Sequence, residues 1–220
     1  MRENMSYNPR YFQLREAQLS RMLAVVRQNR AAVPGGVVFF GDSLTETYPI
    51  ERCFSHVAHL YNCGIAGAVS EELLWIVDEA VIKYRPAVVV LMVGINDLGN
   101  TVMASPREIA LHVKEIVDLI LGNCPETKVL LWSTLPCVEE LWGYRQVPGI
   151  RCNDLVRMIF EQERELIRDD RVTLVDVFPA FVDERGGVLG ELYRDGLHLN
   201  DEGFDRLTGL LAPEIGKLLG

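Results

Sequence analysis

No stretch of this sequence approaches the ~20 consecutive apolar residues that a membrane-spanning helix requires. Basic residues are in deficit: 22 Lys and Arg stand against 31 Asp and Glu, a net charge of −9. That balance repels nucleic-acid phosphates and anionic lipid surfaces, so neither nucleic acid nor stable membrane association is expected. The best apolar run near the N-terminus, residues 22–26, lies between Arg21 and Arg27 and makes a poor secretory signal. The expected location is therefore cytoplasmic. The five cysteines, at 53, 63, 124, 137 and 152, contain no C-x-x-C pair. A disulfide framework or a zinc site is not suggested, and free thiols are expected. Nucleotide-binding loops are missing too: no Gly-x-Gly-x-x-Gly follows a strand, and no Gly-x-x-x-x-Gly-Lys-Ser/Thr is present. A Gly-x-Ser-x-Gly elbow is also absent, which removes the α/β-hydrolase reading.

What is present is an alternation. Short aliphatic runs at 37–40, 60–62, 87–93, 128–133 and 172–177 read as buried strands. Helical patterns cover 8–28, 70–83, 106–121, 150–168 and 201–219 between them. Strands alternating with helices predict an α/β protein built on a five-stranded parallel sheet. The clearest punctuation is Ser105-Pro106-Arg107-Glu108, an N-cap, a first-turn proline and a capping-box glutamate. Residues 134–149 carry Pro136, Gly143, Pro148 and Gly149 and read as a long loop. Trp142 and Tyr144 in that loop either pin it to the surface or line a substrate pocket. The chain reads as one domain over 1–220, with residues 1–33 a helical extension packed on it. Tyr11, Phe12, Leu14, Leu19, Met22, Leu23 and Val26 give that extension an apolar face, which docks on its own domain or on a second subunit. A monomer and a homodimer both fit.

In an open parallel sheet, ligands bind at the carboxyl ends of the strands. Three strands end in Gly41-Asp42-Ser43-Leu44, in Asn62-Cys63-Gly64-Ile65-Ala66-Gly67 and in Gly94-Ile95-Asn96-Asp97, and Asp195-Gly196-Leu197-His198 precedes the last helix. A serine hydroxyl needs a base to take its proton, and the base needs a third group to fix its tautomer. Ser43, His198 and Asp195 supply those parts, the carboxylate reaching the imidazole across one turn. Negative charge on the ester carbonyl oxygen calls for preorganised donors, offered by the amides of Ser43 and Gly64 and the side chain of Asn96. Asp42 and Asp97 either tune the base or cap the following helix, the structural role being favoured; Asp42 is also a candidate substrate contact. Gly67 reads as a close-packing or pocket-widening position, Cys63 as packing, and His56, His59 and His112 as surface or satisfied core histidines.

Taken in order and spacing, these four blocks resemble those of the SGNH, or GDSL, hydrolases, without departure, over residues 37–203. The resemblance implies a flavodoxin-like three-layer sandwich and no metal or organic cofactor. It also implies an acyl-enzyme on Ser43, with Asp195 and His198 behind it and an oxyanion hole at Ser43, Gly64 and Asn96. Within the family, the sequence looks most like the small acetylhydrolases of platelet-activating-factor type and the carbohydrate O-acetylesterases. The expected substrate is a small-molecule ester with a small acyl group, acetyl first among them. Alternatives are a lysophospholipase or thioesterase on longer acyl chains, or an idle binding module of the same fold.

Overall fold

A computed structural model of the chain describes residues 14–99 and 102–220. Five strands, β1 (Val37–Gly41), β2 (Leu60–Gly64), β3 (Val88–Met92), β4 (Lys128–Trp132) and β5 (Val172–Val175), form one sheet. All pairings are parallel and the spatial order is β2-β1-β3-β4-β5. The helices of more than one turn are α1 (Glu16–Asn29), α4 (Ser70–Ala80), α5 (Pro106–Asn123), α7 (Asn153–Leu166) and α8 (Asp201–Leu219). Short turns α2 (Ser43–Glu46), α3 (Ile50–Cys53) and α6 (Glu139–Trp142) lie between them.

Every residue of β1 and β3 is buried, which explains why these strands read as continuous aliphatic runs rather than alternating ones. Alternate side chains still go to different layers. Val38, Phe40, Val89 and Leu91 pack with α4, α5 and Val25 of α1 on one face. Phe39, Val90, Met92 and Trp132 pack with Phe204, Leu207 and Leu211 of α8 on the other. The result is the three-layer α/β/α sandwich expected from the sequence. The strand order reverses direction at β1/β3, which opens a crevice beyond the carboxyl ends of those two strands.

The cap at Ser105 forms as its sequence dictates: its Oγ accepts from Glu108 N at 3.2 Å, and Glu108 Oε2 accepts from Ser105 N at 3.4 Å. Three expected boundaries shift. The 150–168 helix begins only at Asn153, because residues before it are engaged elsewhere: Ile150 N donates to Leu98 O at 2.7 Å and Tyr144 N to Arg151 O at 2.8 Å. The 70–83 helix stops at Ala80 and continues as a 3-10 turn over Ile82–Tyr84, ending at Arg85 with φ +47°. The 134–149 loop contains α6, opened by Glu139 and Glu140 where acidic groups favour a helix N-terminus.

Of the expected 8–28 helix, residues 8–13, with Tyr11 and Phe12, lie outside the described residues. The remainder, α1, contacts α4. Val25 is fully buried, and Tyr84 Oη donates to its carbonyl at 3.0 Å. Arg21 donates to the carbonyls of Gly64 and Asn62 at 2.8 Å each, which ties α1 to the end of β2.

Candidate active site

The turn after β1 is built by glycine and aspartate. A Cβ on Gly41 would lie 2.2 Å from Met92 O and 2.4 Å from Thr45 Oγ1, so only glycine lets the chain turn this closely against β3. Asp42 then caps α2, its Oδ1 accepting from Leu44 N at 2.9 Å. Ser43 becomes the first helical residue with its hydroxyl at the crevice. Among the described residues its backbone N–H has no hydrogen-bond partner.

On the opposite wall, residues 195–198 fold into a tight turn through Gly196, whose φ of +82° suits glycine. Asp195 Oδ1 accepts the amides of Leu197 at 3.0 Å and His198 at 2.7 Å. Its other oxygen, Oδ2, lies 2.7 Å from His198 Nδ1, and His198 Nε2 lies 3.0 Å from Ser43 Oγ. These contacts assign the tautomer with the proton on Nδ1, leaving Nε2 to accept from the serine. Partial burial pushes the Asp195 carboxyl up, but the two amides and the imidazole outweigh it and hold the group below the usual carboxylate range. Asp195 thus stays ionised at neutral pH.

Ser43 and His198 open into a cavity of about 410 Å³, lined also by Gly67, Asn96, Trp142, Arg151 and Leu197. Asn96 spends one amide hydrogen on Ala68 O, at 3.0 Å, which fixes its side chain and leaves the other hydrogen for the cavity. Gly67, beside Ala68, has φ +77°, and its backbone N–H has no partner among the described residues.

Three sequence expectations are corrected here. Gly64 does not offer its amide to the cavity: that N–H donates to Asn62 Oδ1 at 3.0 Å, and a Cβ on Gly64 would lie 2.2 Å from Glu46 N. Its glycine serves the close approach of β2 to α2, and the free amide of that block belongs to Gly67, three residues on. Asp42 is fully buried and does not line the cavity, so it is a helix cap rather than a substrate contact. Tyr144 lies outside the cavity, half exposed, with the Arg145 guanidinium 5.6 Å from its ring centroid. Trp142 does line the cavity, and its Nε1 donates to Asp195 O at 2.8 Å.

Behind the crevice sits a set of acids with a different character. Asp97 accepts from Ser70 N at 2.9 Å and Ser70 Oγ at 2.5 Å, and that hydroxyl also contacts His112 Nδ1 at 2.9 Å. Burial raises the carboxyls of Asp42 and Asp97 to about 7 each; the Leu44 amide and Arg151 oppose it at Asp42, and Ser70 opposes it at Asp97. Residues that sequence reasoning missed are Gly67 as the free amide, and Gln18 and Arg151 as cavity walls. Nothing in the local sequence distinguishes them, since each reaches the cavity from a separate element. Among the described residues no group of three or more His, Cys, Asp or Glu is placed to hold a metal, and no helix is long and apolar enough to cross a membrane.

Comparison with known proteins agrees with this architecture. Residues 39–206 match the model of the GDSL-like lipase/acylhydrolase family. Platelet-activating factor acetylhydrolase IB subunit alpha2 of Gallus gallus is 30% identical over 187 residues, which is 83% of this chain and 77% of that protein. A GDSL-like lipase of Bacteroides thetaiotaomicron superposes with a TM-score of 0.76 at 24% identity, covering 89% of this chain and 97% of that one. A carbohydrate esterase family 3 protein of Talaromyces cellulolyticus gives 0.64 at 16% identity, over 84% and 98% of the two chains. The last two likenesses concern the fold alone. With the family model spanning β1 to α8, the chain belongs to the GDSL-like lipase/acylhydrolase family and is a hydrolase of carboxylic esters.

Proposed function

We propose that this protein is a serine esterase that releases small acyl groups, acetyl first among them, through an acyl-enzyme on Ser43. The observation that carries this reading is the 3.0 Å contact of Ser43 Oγ with His198 Nε2, backed by Asp195 at 2.7 Å. As Ser43 Oγ attacks the ester carbonyl carbon, its proton passes to Nε2, and the ionised Asp195 stabilises the imidazolium that forms. The carbonyl oxygen becomes an oxyanion, met by the amides of Ser43 and Gly67 and the free N–H of Asn96. These donors are held in place before reaction, so no reorganisation is needed as charge develops. When the tetrahedral intermediate collapses, the imidazolium returns its proton to the departing alcohol oxygen and the acyl group stays on Ser43. Water activated by the same imidazole then frees the acid and regenerates the serine.

The acetyl preference is supported by the name of the 30% identical relative, an acetylhydrolase. The test is hydrolysis of p-nitrophenyl acetate by the purified protein. Ser43→Ala is expected to lower kcat by about a thousandfold or more with unchanged circular dichroism. Undiminished turnover in that variant overturns the mechanism, and rates that rise from acetate to octanoate overturn the acyl-length assignment.

A further inference from the structure

The cavity is electrostatically unlike the molecule around it. The chain carries a net charge of −9, yet two arginines, Arg15 and Arg151, line the cavity, and no Asp or Glu is among its lining residues. Arg15 sits at the rim. Arg151 is 3% exposed, so its guanidinium has exchanged bulk water for a protein surround. Its Nε donates to Ile95 O at 3.2 Å, beside Asn96, and its guanidinium carbon lies 5.8 Å from the centroid of the Trp142 ring. Those two contacts fix the plane of the group. Gly99 makes room for it: a Cβ there would lie 2.5 Å from one of its Nη atoms.

Buried charges are ordinarily paired with an opposite charge. Among the described residues Arg151 forms no ion pair, and neither Nη atom has a hydrogen-bond partner. Asp42 does feel its charge, but burial leaves that carboxyl with a raised pKa of about 7, so it compensates the cation only in part at neutral pH. An unpaired guanidinium, held flat and edging a reaction cavity, is a receptor for a planar or tetrahedral oxyanion.

We infer that Arg151 selects esters bearing a negative group, a carboxylate or a phosphate, on the alcohol half of the substrate. This rests on the esterase reading above and adds the substrate class to it. The acyl group is small on that reading, so a cavity of about 410 Å³ leaves most of its space to the alcohol half. The Nη edge of Arg151 then binds the anion, while Arg15 at the rim favours its approach.

The test compares phenyl acetate, 4-acetoxybenzoate and 4-acetoxyphenyl phosphate with the whole chain. The wild type is expected to prefer at least one anionic ester, and whichever of the two it prefers identifies the anion. In Arg151→Met the ratio of kcat/KM for that ester over phenyl acetate should fall by about ten- to a hundredfold, chiefly through KM, with partial recovery in Arg151→Lys. An inhibition arm needs no variant: benzoate should compete with phenyl acetate in the wild type more strongly than benzamide does. Equal loss of charged and neutral substrates in Arg151→Met overturns the inference, as does a wild type that favours neither anionic ester. Both outcomes are distinct from failure of the esterase reading, which shows as absent phenyl acetate turnover or as turnover that survives Ser43→Ala.

Discussion

Two sets of carboxyl groups share the same edge of the sheet and behave oppositely. Asp195 sits on the outer wall with its side chain 41% exposed, accepts two amides and an imidazole, and is held ionised. Asp42 and Asp97 lie one layer inward, fully or almost fully buried, and burial raises both to about 7. Residue type is the same in all three; the number of donors and the access of water differ. On the mechanism proposed above, Asp195 needs its charge at working pH to stabilise an imidazolium, whereas a carboxyl that caps a helix or anchors a turn needs only its acceptor oxygens. The contrast teaches that the aspartate of a Gly-Asp-Ser turn and the aspartate before the histidine are different chemical objects.

Several measurements would break or sharpen this contrast. The largest effect is expected at the ionised member: Asp195→Asn should lower kcat on p-nitrophenyl acetate by about ten-thousandfold, because the amide holds the imidazole in the wrong tautomer. A loss below about tenfold would mean that the charge on Asp195 is not needed.

At the buried member the effect falls on stability. Because the Asp42 carboxyl is raised in the folded chain, its favourable contribution is complete below the unfolded value near 3.8 and is lost as pH rises through about 7. Replacing it removes that loss. Urea denaturation should therefore show Asp42→Asn gaining on the wild type between pH 4 and pH 7, by at most about 4 kcal/mol, and levelling off above. A difference that stays flat over the same interval would show Asp42 to be ionised throughout.

Asn96→Ala removes a cavity donor adjoining the buried Asp97, and its expected cost is about a hundred- to a thousandfold in kcat, or about 3 kcal/mol. KM should move little, since the donor acts on charge present only in the transition state. The smallest effect separates the two glycines of the second block. Gly64→Ala forces a Cβ to 2.2 Å from the Glu46 backbone, where no flexible side chain can give way, and should cost about 3 kcal/mol of stability or more. Gly67→Ala meets no atom closer than 3.5 Å and carries only the strain of a positive φ, about 1–2 kcal/mol. Equal destabilisation of the two, by thermal melting, would contradict the division of labour between them.

Much of the fold was legible along the chain because its signals are local. The all-apolar strands β1 and β3, the capping box at Ser105 and the last helix over 201–219 each lie where pattern and propensity put them. Asp195 and His198 were legible as a pair because three residues separate them, and one turn suffices to join carboxylate to imidazole. Less was legible where tertiary pairing overrides propensity. The pairing of residues 98–99 with 149–150 delays the start of α7, and the side chain of Asn62 takes the amide of Gly64.

By itself, then, the amino-acid sequence determined the layers, the strand endings and the residue types gathered at them, because hydrophobic period, glycine turns and helix caps act over a few residues. Only the tertiary structure decided that the free amide is that of Gly67, that Asp42 faces inward, and that Arg151 edges the cavity without an ion-pair partner among the described residues. Those outcomes depend on which groups from distant segments reach a hydrogen bond first and on how much water is left beside them, and neither quantity is written in local order.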